Sequence, residues 1–422
     1  MTRESRTVPQ KSSLRRCHAY RAAGLGALTV LLALVASACS SSSQPLVKPP
    51  GGNFSVLTQA SGWGPVIGHR TVICVVNTGS NSVSLVTPSG KEVSPPIPVG
   101  NSPYAVAVSP NGEWAYVANT GWGVTAGSTI TPINLVTFQV ARSIKVGTGP
   151  FAIAVTPDGK SAYVANMGAM LTTSSQTAGA ALYAGTKVID SHTVTPIDLV
   201  TGKPGGAINS GPGPGAVAVT PDGRWAYVAN SGAPNNYSGT VSGTVTPINT
   251  ATNSPGRPIP VGPGPMAIAI TPNGQEAYVA NAGWWNHPGR TVTPINLLTN
   301  RPGPAIPVGV GPLGIAITPD GRWAYVANSG WGHADTVTPI NLVTNTPGPA
   351  IPAGPGPDYI AITPDGHWAF VADGGDLSGP SDLLTPINLL TNRPARPIKV
   401  GLAPGALAVA EVPVFAHEPK AG

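Results

Sequence analysis

Residues 311–351 read GPLGIAITPDGRWAYVANSGWGHADTVTPINLVTNTPGPAI. Four strand-like runs stand in this stretch, separated by turn chemistry. The first, after Gly311-Pro312, stops at Pro319-Asp320-Gly321, a tight-turn signal. The second, Trp323-Ala324-Tyr325-Val326-Ala327-Asn328, alternates large and small side chains as a half-buried strand should. The third reads Thr336-Val337-Thr338-Pro339-Ile340-Asn341, and a more ragged fourth closes the unit at Ala350-Ile351. A repeat of this length is one supersecondary element, and it buries its apolar faces only by stacking on copies of itself.

The second-strand word recurs as Tyr-Val-Ala-Asn at Tyr116, Tyr163, Tyr227, Tyr278 and Tyr325, and as Phe-Val-Ala-Asp at Phe370. With Cys74-Val75-Val76-Asn77 there are seven copies, spaced by 42, 47, 64, 51, 47 and 45 residues. The first-strand word also appears seven times, starting at Pro103, Pro150, Pro214, Pro265, Pro312, Pro357 and Pro404. The repeat array therefore starts on a second strand and finishes on a first strand, Gly405–Ala410. That permutation makes sense only if the last strand completes the first sheet. The expectation is an all-β fold, a seven-bladed β-propeller closed by N- and C-terminal strands sharing one blade.

These units resemble the YVTN family of seven-bladed propellers, and the likeness runs from Thr71 to about Phe415. The family pattern VG-x-x-P, then an apolar run, P-D-G and Y-V-A/T-N, is present in nearly every unit. One departure is consistent. Where the family's third strand reads like V-S-V-I-D, this chain has V-T-P-I-N or V-T-P-I-D, with Pro132, Pro196, Pro247, Pro294, Pro339 and Pro386. Proline in an inner strand loses a ladder hydrogen bond, so its recurrence implies a local bulge or an outermost strand that has peeled away.

Only 9% of residues are charged, while Gly (53) and Pro (48) are abundant. They fall between regular apolar runs, the spacing of short strands joined by turns. The net charge of +6 belongs to the N-terminus, where Arg3, Arg6, Lys11, Arg15, Arg16 and Arg21 stand against Glu4. From Cys39 onward 17 basic and 16 acidic residues remain without a basic run, which weakens any electrostatic case for nucleic acid.

The basic segment leads into the apolar stretch Ala22–Ala38, too short for a comfortable membrane span and ending in small residues as an export signal does. Val35-Ala36-Ser37-Ala38-Cys39 resembles a bacterial lipobox, in which the cysteine is diacylated and becomes the new N-terminus, although Ala36 stands where Leu is usual. Ordinary signal-peptidase cleavage after Ala38 is the alternative. Arg15-Arg16 is followed by Cys17-His18 and not by hydrophobic residues, against a twin-arginine route. The expected organisation is a signal peptide (1–38), a lipid-anchor tether and lead-in (39–70), the propeller (71–415) and a tail (416–422). Cys74 falls where other units have Tyr and has no partner for an intrachain disulfide, so it reads as a small buried hydrophobe.

A repeat carries its own control. A feature of every unit is architectural, whereas a feature of one or two is a candidate for function. By that rule Asp158, Asp222, Asp320 and Asp365 are turn formers, and Asn119, Asn166, Asn230, Asn281 and Asn328 bind loop backbone. Strand parity puts the loops between strands two and three on one face with the blade-to-blade connections, and the Pro-Asp-Gly turns on the other. The first face carries the irregularity: the insertions Met167–His192 and Ser231–Gly243, and Gly-Trp after the strand-ending Asn at Trp122, Trp284 (with Trp285) and Trp331. His287, His333 and Asp335 lie in the same loops. Exposed aromatics with a few polar partners suit a glycan, a peptide or a protein surface. The competing expectation is that each Trp folds back onto its own blade.

The residues after each Gly-Pro should lie near one mouth of the central channel: Tyr104, Phe151, Gly215, Met266, Leu313, Asp358 and, after Ala403-Pro404, Gly405. One carboxylate among these is a poor metal site, and two His with one Asp are weak evidence for zinc. No nucleophile elbow, Cys/His pair or phosphate loop is present, so no catalytic residue, metal or cofactor is assigned. The expected function is a cell-envelope binding or scaffolding module with a protein, peptide or glycan ligand. It is exported and anchored through Cys39 on the outer face of the cytoplasmic membrane, with secretion as the alternative. A metal-dependent hydrolase or lyase using His287, His333, Asp335 or Asp358 on the same face is the alternative function.

Overall fold

A computed structural model describes residues 65–121, 125–172, 186–232, 242–284, 287–330, 335–376 and 379–416. They form seven antiparallel sheets, with no helix among them. Blade one has Pro404–Phe415 as its inner strand, then Val66–Asn77, Ser82–Val86 and Glu92–Pro98. Blades two to seven follow in order, their inner strands starting at Pro103, Pro150, Pro214, Pro265, Pro312 and Pro357. The ring closes as the repeat count requires: Asn77 lies opposite Pro404, Cys74 opposite Ala408 and Val72 opposite Ala410. This ladder continues back to Val66 opposite Phe415, so the closing hairpin is longer than a repeat strand.

The second strands are not half-buried. Each lies between two blades and is covered on both faces. Tyr278 and Ala280 pack against Ile315, Ala324 and Val326 of blade six, while Ala277 and Val279 pack against Ala216, Tyr227 and Ala229 of blade four. The alternation of large and small side chains therefore fits a wedge between neighbours and does not divide core from solvent.

The tyrosine of the repeated word also ties the ring together. Tyr163, Tyr227, Tyr278 and Tyr325 donate to the side chains of Asn253, Asn300, Asn345 and Asn392, at 2.8 to 3.0 Å. Each asparagine sits in the outer turn of the next blade at positive φ, between 52° and 55°, a region Asn tolerates. Blade two breaks the pattern: the Tyr116 hydroxyl is buried without a partner, and Gly202 (φ 66°) occupies the acceptor's position in blade three. Blade seven has Phe370, which needs no acceptor. In blade one Cys74 is fully buried and Phe138, at the same turn position of blade two, packs into its cluster. Burial pushes the Cys74 thiol up to about 12, as for an inert core cysteine.

The strand-ending asparagines chiefly bind side chains of the third strand, not the loop backbone expected. Asn119 Nδ2 donates to Thr129 and Thr131 at 3.0 and 2.8 Å, and Asn281 Nδ2 to Thr291 and Thr293 at 3.1 and 2.9 Å. The Asn119 carbonyl does reach backbone, accepting from Gly100 N–H at 3.0 Å. The third-strand prolines leave no bulge against the second strand, since Tyr116 faces Pro132 and Tyr278 faces Pro294 in register. The irregularity falls on the fourth strand, which stays on the third but in two short pieces. In blade five it pairs only as Arg301–Pro302 and Ile306–Pro307, with Gly303 arching over the proline ring between them and its N–H donating to the Pro294 carbonyl at 2.8 Å. The Pro-Asp-Gly carboxylates are turn formers: Asp158 accepts from the Thr156 hydroxyl at 2.6 Å and the Lys160 N–H at 3.0 Å. Those bonds hold its carboxyl below the usual range.

A carboxylate cluster at the channel mouth

The blade-to-blade connections deliver the residue after each Gly-Pro to one end of the axis. There Tyr104 and Phe151 of blades two and three stack with ring centroids 4.3 Å apart. Gly215, Met266 and Leu313 follow around the ring, and Asp358 of blade seven completes the polar side. The rim is therefore aromatic on one arc and acidic on another, which sevenfold architecture does not require.

Blade seven departs from the repeat at four positions that meet at this acidic arc. Asp358 takes the ring position. Asp373 replaces the strand-ending Asn of the other blades and pairs opposite Pro357. Gly374 stands where other blades have Thr78, Thr120, Met167, Ser231, Ala282 and Ser329, and a Cβ there would overlap Asp358 Oδ2. Leu383 replaces the first of the two clamping threonines. The loss of Asn Nδ2 and of one hydroxyl acceptor go together, and the remaining Thr385 hydroxyl now donates to Asp373 Oδ2 at 2.7 Å.

Asp335, at the start of the third strand of blade six, lies against the same group. Burial raises all three carboxyls and their mutual repulsion adds to it: Asp335 to about 6, Asp373 to about 7 and Asp358 to about 8. Asp376 adds to the repulsion on Asp335, and among the described residues no cation offsets any of the three. Hydrogen bonds from Thr385 and the Gly354 N–H to Asp373, and from the Gly356 N–H to Asp335, only moderate the rise. Asp358 keeps part of its surface accessible. Tyr104 is raised by burial first, then by Asp358 and Tyr359, which puts the phenol within electrostatic reach of the acids. Near neutral pH the cluster is poised between protonated and charged forms.

Of the residues singled out from sequence, Asp335 and Asp358 belong to this cluster. Trp284 and His287 face each other across the blade-five hairpin, with Trp284 half-buried and His287 exposed. Trp122, Trp285, Trp331, His333 and Cys39 lie outside the described residues. All the described candidates lie on the loop face, as strand parity predicts. Asp373 was missed because it hides inside the repeated word as Phe-Val-Ala-Asp. The signal that would have found it was present, a single Asp among the strand-ending Asn residues, accompanied by Gly374 and Leu383 in the same unit.

Among the described residues no three His, Cys, Asp or Glu side chains converge so as to hold a metal ion. On the opposite face a groove of about 450 Å³ opens between blades three and four, walled by Thr156, Asp158, Asp222, Gly223 and Thr250. Those are mostly turn residues of the repeated pattern, so the groove follows from the architecture.

No family model matches the chain, and no curated protein does. Solved structures do. A functionally unknown protein from Desulfotomaculum acetoxidans superposes with a TM-score of 0.61 at 15% identity, covering 81% of this chain and 99% of its own. A putative 6-phosphogluconolactonase from Bacteroides fragilis and the periplasmic gluconolactonase of Pseudomonas aeruginosa each give 0.58 at 17% identity, covering 82% of this chain and 99% of theirs. At these identities the likeness is one of fold.

Proposed function

We propose that the protein is a binding module of the YVTN-repeat type, displayed at the cell envelope and anchored through lipid on Cys39. Its ligand is a peptide, glycan or protein segment that presents a protonated amine to the loop face. One observation carries the reading: Asp335, Asp358 and Asp373 share a poorly solvated site that no cation offsets among the described residues, with Tyr104 of the Tyr104–Phe151 stack within electrostatic reach of Asp358. An ammonium group would offset the repulsion among the acids, and the aromatic arc would receive its apolar or ring portion.

The test is titration calorimetry of the chain from Gly51 with basic peptides and amino-sugar oligomers, against the same ligands N-acetylated. Binding should require the free amine, release protons near pH 7 and weaken at least tenfold in Asp358→Asn. Equal binding of the acetylated ligands would overturn the role of the acids. A second reading, a hydrolase or lyase, has one favourable observation, two carboxyls poised near neutrality as acid–base groups. Turnover of sugar lactones that is lost in Asp358→Asn would favour it, and sensitivity to chelators would assign it a metal.

A further inference from the structure

The face opposite the acids carries its own signal. Among the described residues eight large hydrophobic side chains are exposed, and all but Leu402 lie on the turn face: Val66, Ile67, Val200, Leu298, Val343, Leu390 and Val414. Leu298, Val343 and Leu390 occupy the same position in the outer turns of blades five, six and seven, at 81%, 76% and 77% exposure. In each turn the preceding leucine (Leu297, Leu342, Leu389) packs inward and the next residue points out. The position is apolar in blades two to seven, but Val136 packs partly into its own blade, Val200 is only 37% exposed and blade four has the small Ala251. The large and fully presented side chains are therefore confined to blades five to seven.

Blade one follows blade seven in the ring and continues the arc. Its long hairpin brings Val66 and Ile67 to the same face, confirmed by Arg70 stacking over Phe138 in the outer turn of blade two at 5.4 Å. Four successive blades thus present apolar tips, and the chain enters the propeller among them at Pro65. Exposed Arg301 and Arg393 flank two of the tips. Acidic and basic side chains otherwise alternate along this face, so apolar contact, not net charge, is what it offers.

We infer that this arc seats on a lipid bilayer, with Leu298, Val343, Leu390 and Ile67 in the headgroup region. The inference rests on the anchored reading, because the described chain joins the propeller at Pro65 on this face, so that a lipid on Cys39 would be tethered to this side of the ring. Single leucines partition weakly, so the arc orients an already tethered domain and does not anchor it. The acidic mouth then points away from the membrane, toward solvent-borne ligand.

The test supplies the anchor chemically, so that it does not depend on native lipidation. The chain from Cys39 is coupled through that thiol to a maleimide lipid in vesicles of phosphatidylethanolamine and phosphatidylglycerol. Buried Cys74 stays unreacted. Amide hydrogen exchange should slow at least fivefold in residues 296–300, 341–345 and 388–392 relative to the free chain. The outer turn of blade four, 249–253, and the loop-face segment 354–376 should not change. The triple variant Leu298→Ser/Val343→Ser/Leu390→Ser should lose the protection while keeping its melting temperature. Unchanged exchange in all three turns, or equal protection of 249–253, overturns the proposal. The same protection in the uncoupled chain at high concentration without vesicles would overturn it in favour of self-association. Failure of native lipidation, read separately by mass spectrometry of the exported N-terminus, would overturn the anchor instead.

Discussion

Tyr116 and Asp373 show how one residue can escape the logic of its repeat. The Tyr116 hydroxyl is buried without an acceptor because Gly202 stands where three later blades, four to six, and blade seven carry Asn. Gly202→Asn fits the positive φ of that site and should add one hydrogen bond, stabilising the fold by about 1 kcal/mol. Tyr116→Phe should then cost about as much in the Gly202→Asn background and almost nothing in the parent, as a double-mutant cycle of denaturant melts would read. Asp373 obeys a different balance. Its carboxyl is raised from an ordinary value of about 3.9 to about 7, so the folded chain holds a proton that the unfolded chain releases. Asp358, raised to about 8, acts in the same direction. The contribution of these two carboxyls to stability should therefore be full near about pH 4 and fall as pH rises to about 8, the opposite of the lowered turn carboxylates such as Asp158. Asp358→Asn and Asp373→Asn should each flatten that slope in thermal melts across the window; a slope unchanged in both would remove the cluster as its cause.

At the scale of the element, the repeated word and the third strand form one device. The strand-ending Asn clamps two threonines two positions apart, which explains why Thr-x-Thr-Pro recurs beside Tyr-Val-Ala-Asn. Asn281→Ala should leave the Thr291 and Thr293 hydroxyls without their donor and cost about 2 kcal/mol, measured by chemical denaturation. Blade seven gives up this clamp together with the side chain at 374. Gly374→Ser, the residue blades four and six carry, should leave the blade folded but push the Asp358 carboxylate out of its place. The readout is ligand titration: affinity for an amine ligand should drop at least tenfold with little change in melting temperature. If affinity is unchanged, Asp358 does not contact ligand from its present position. The loop residues His287 and Trp284 were legible as candidates because they break the repeat visibly, in composition. Asp373 and Gly374 break it by small substitutions inside the repeated pattern, Asn to Asp and Ser or Thr to Gly, which stand out only when the register brings them against Asp358.

For the molecule as a whole, closure is the decisive feature. Blade one takes its inner strand from the far end of the array, so removing residues 404–422 should expose the second strand Val66–Asn77 as an unpaired edge. Such a truncation is expected to aggregate or to lose the single cooperative unfolding transition, as scanning calorimetry would show. The count of seven words, the permuted start and the unequal faces followed from sequence alone, because a repeat long enough to be one blade leaves the ring little freedom. Burial of the second strand on both faces and the tyrosine-to-asparagine ties between blades did not, since each depends on another blade, 67 to 90 residues away for the ties. The same holds for both surfaces of interest. Asp335 and Asp358 are legible as separate acids on the loop face, but that they share one mouth with Asp373 follows only from the closed ring. Leu298, Val343 and Leu390 are ordinary leucines and valine until the turn direction shows that they point out. Local sequence carries the period and the turn chemistry; which side chains are deprived of water, and which are left in it, is a property of the closed ring.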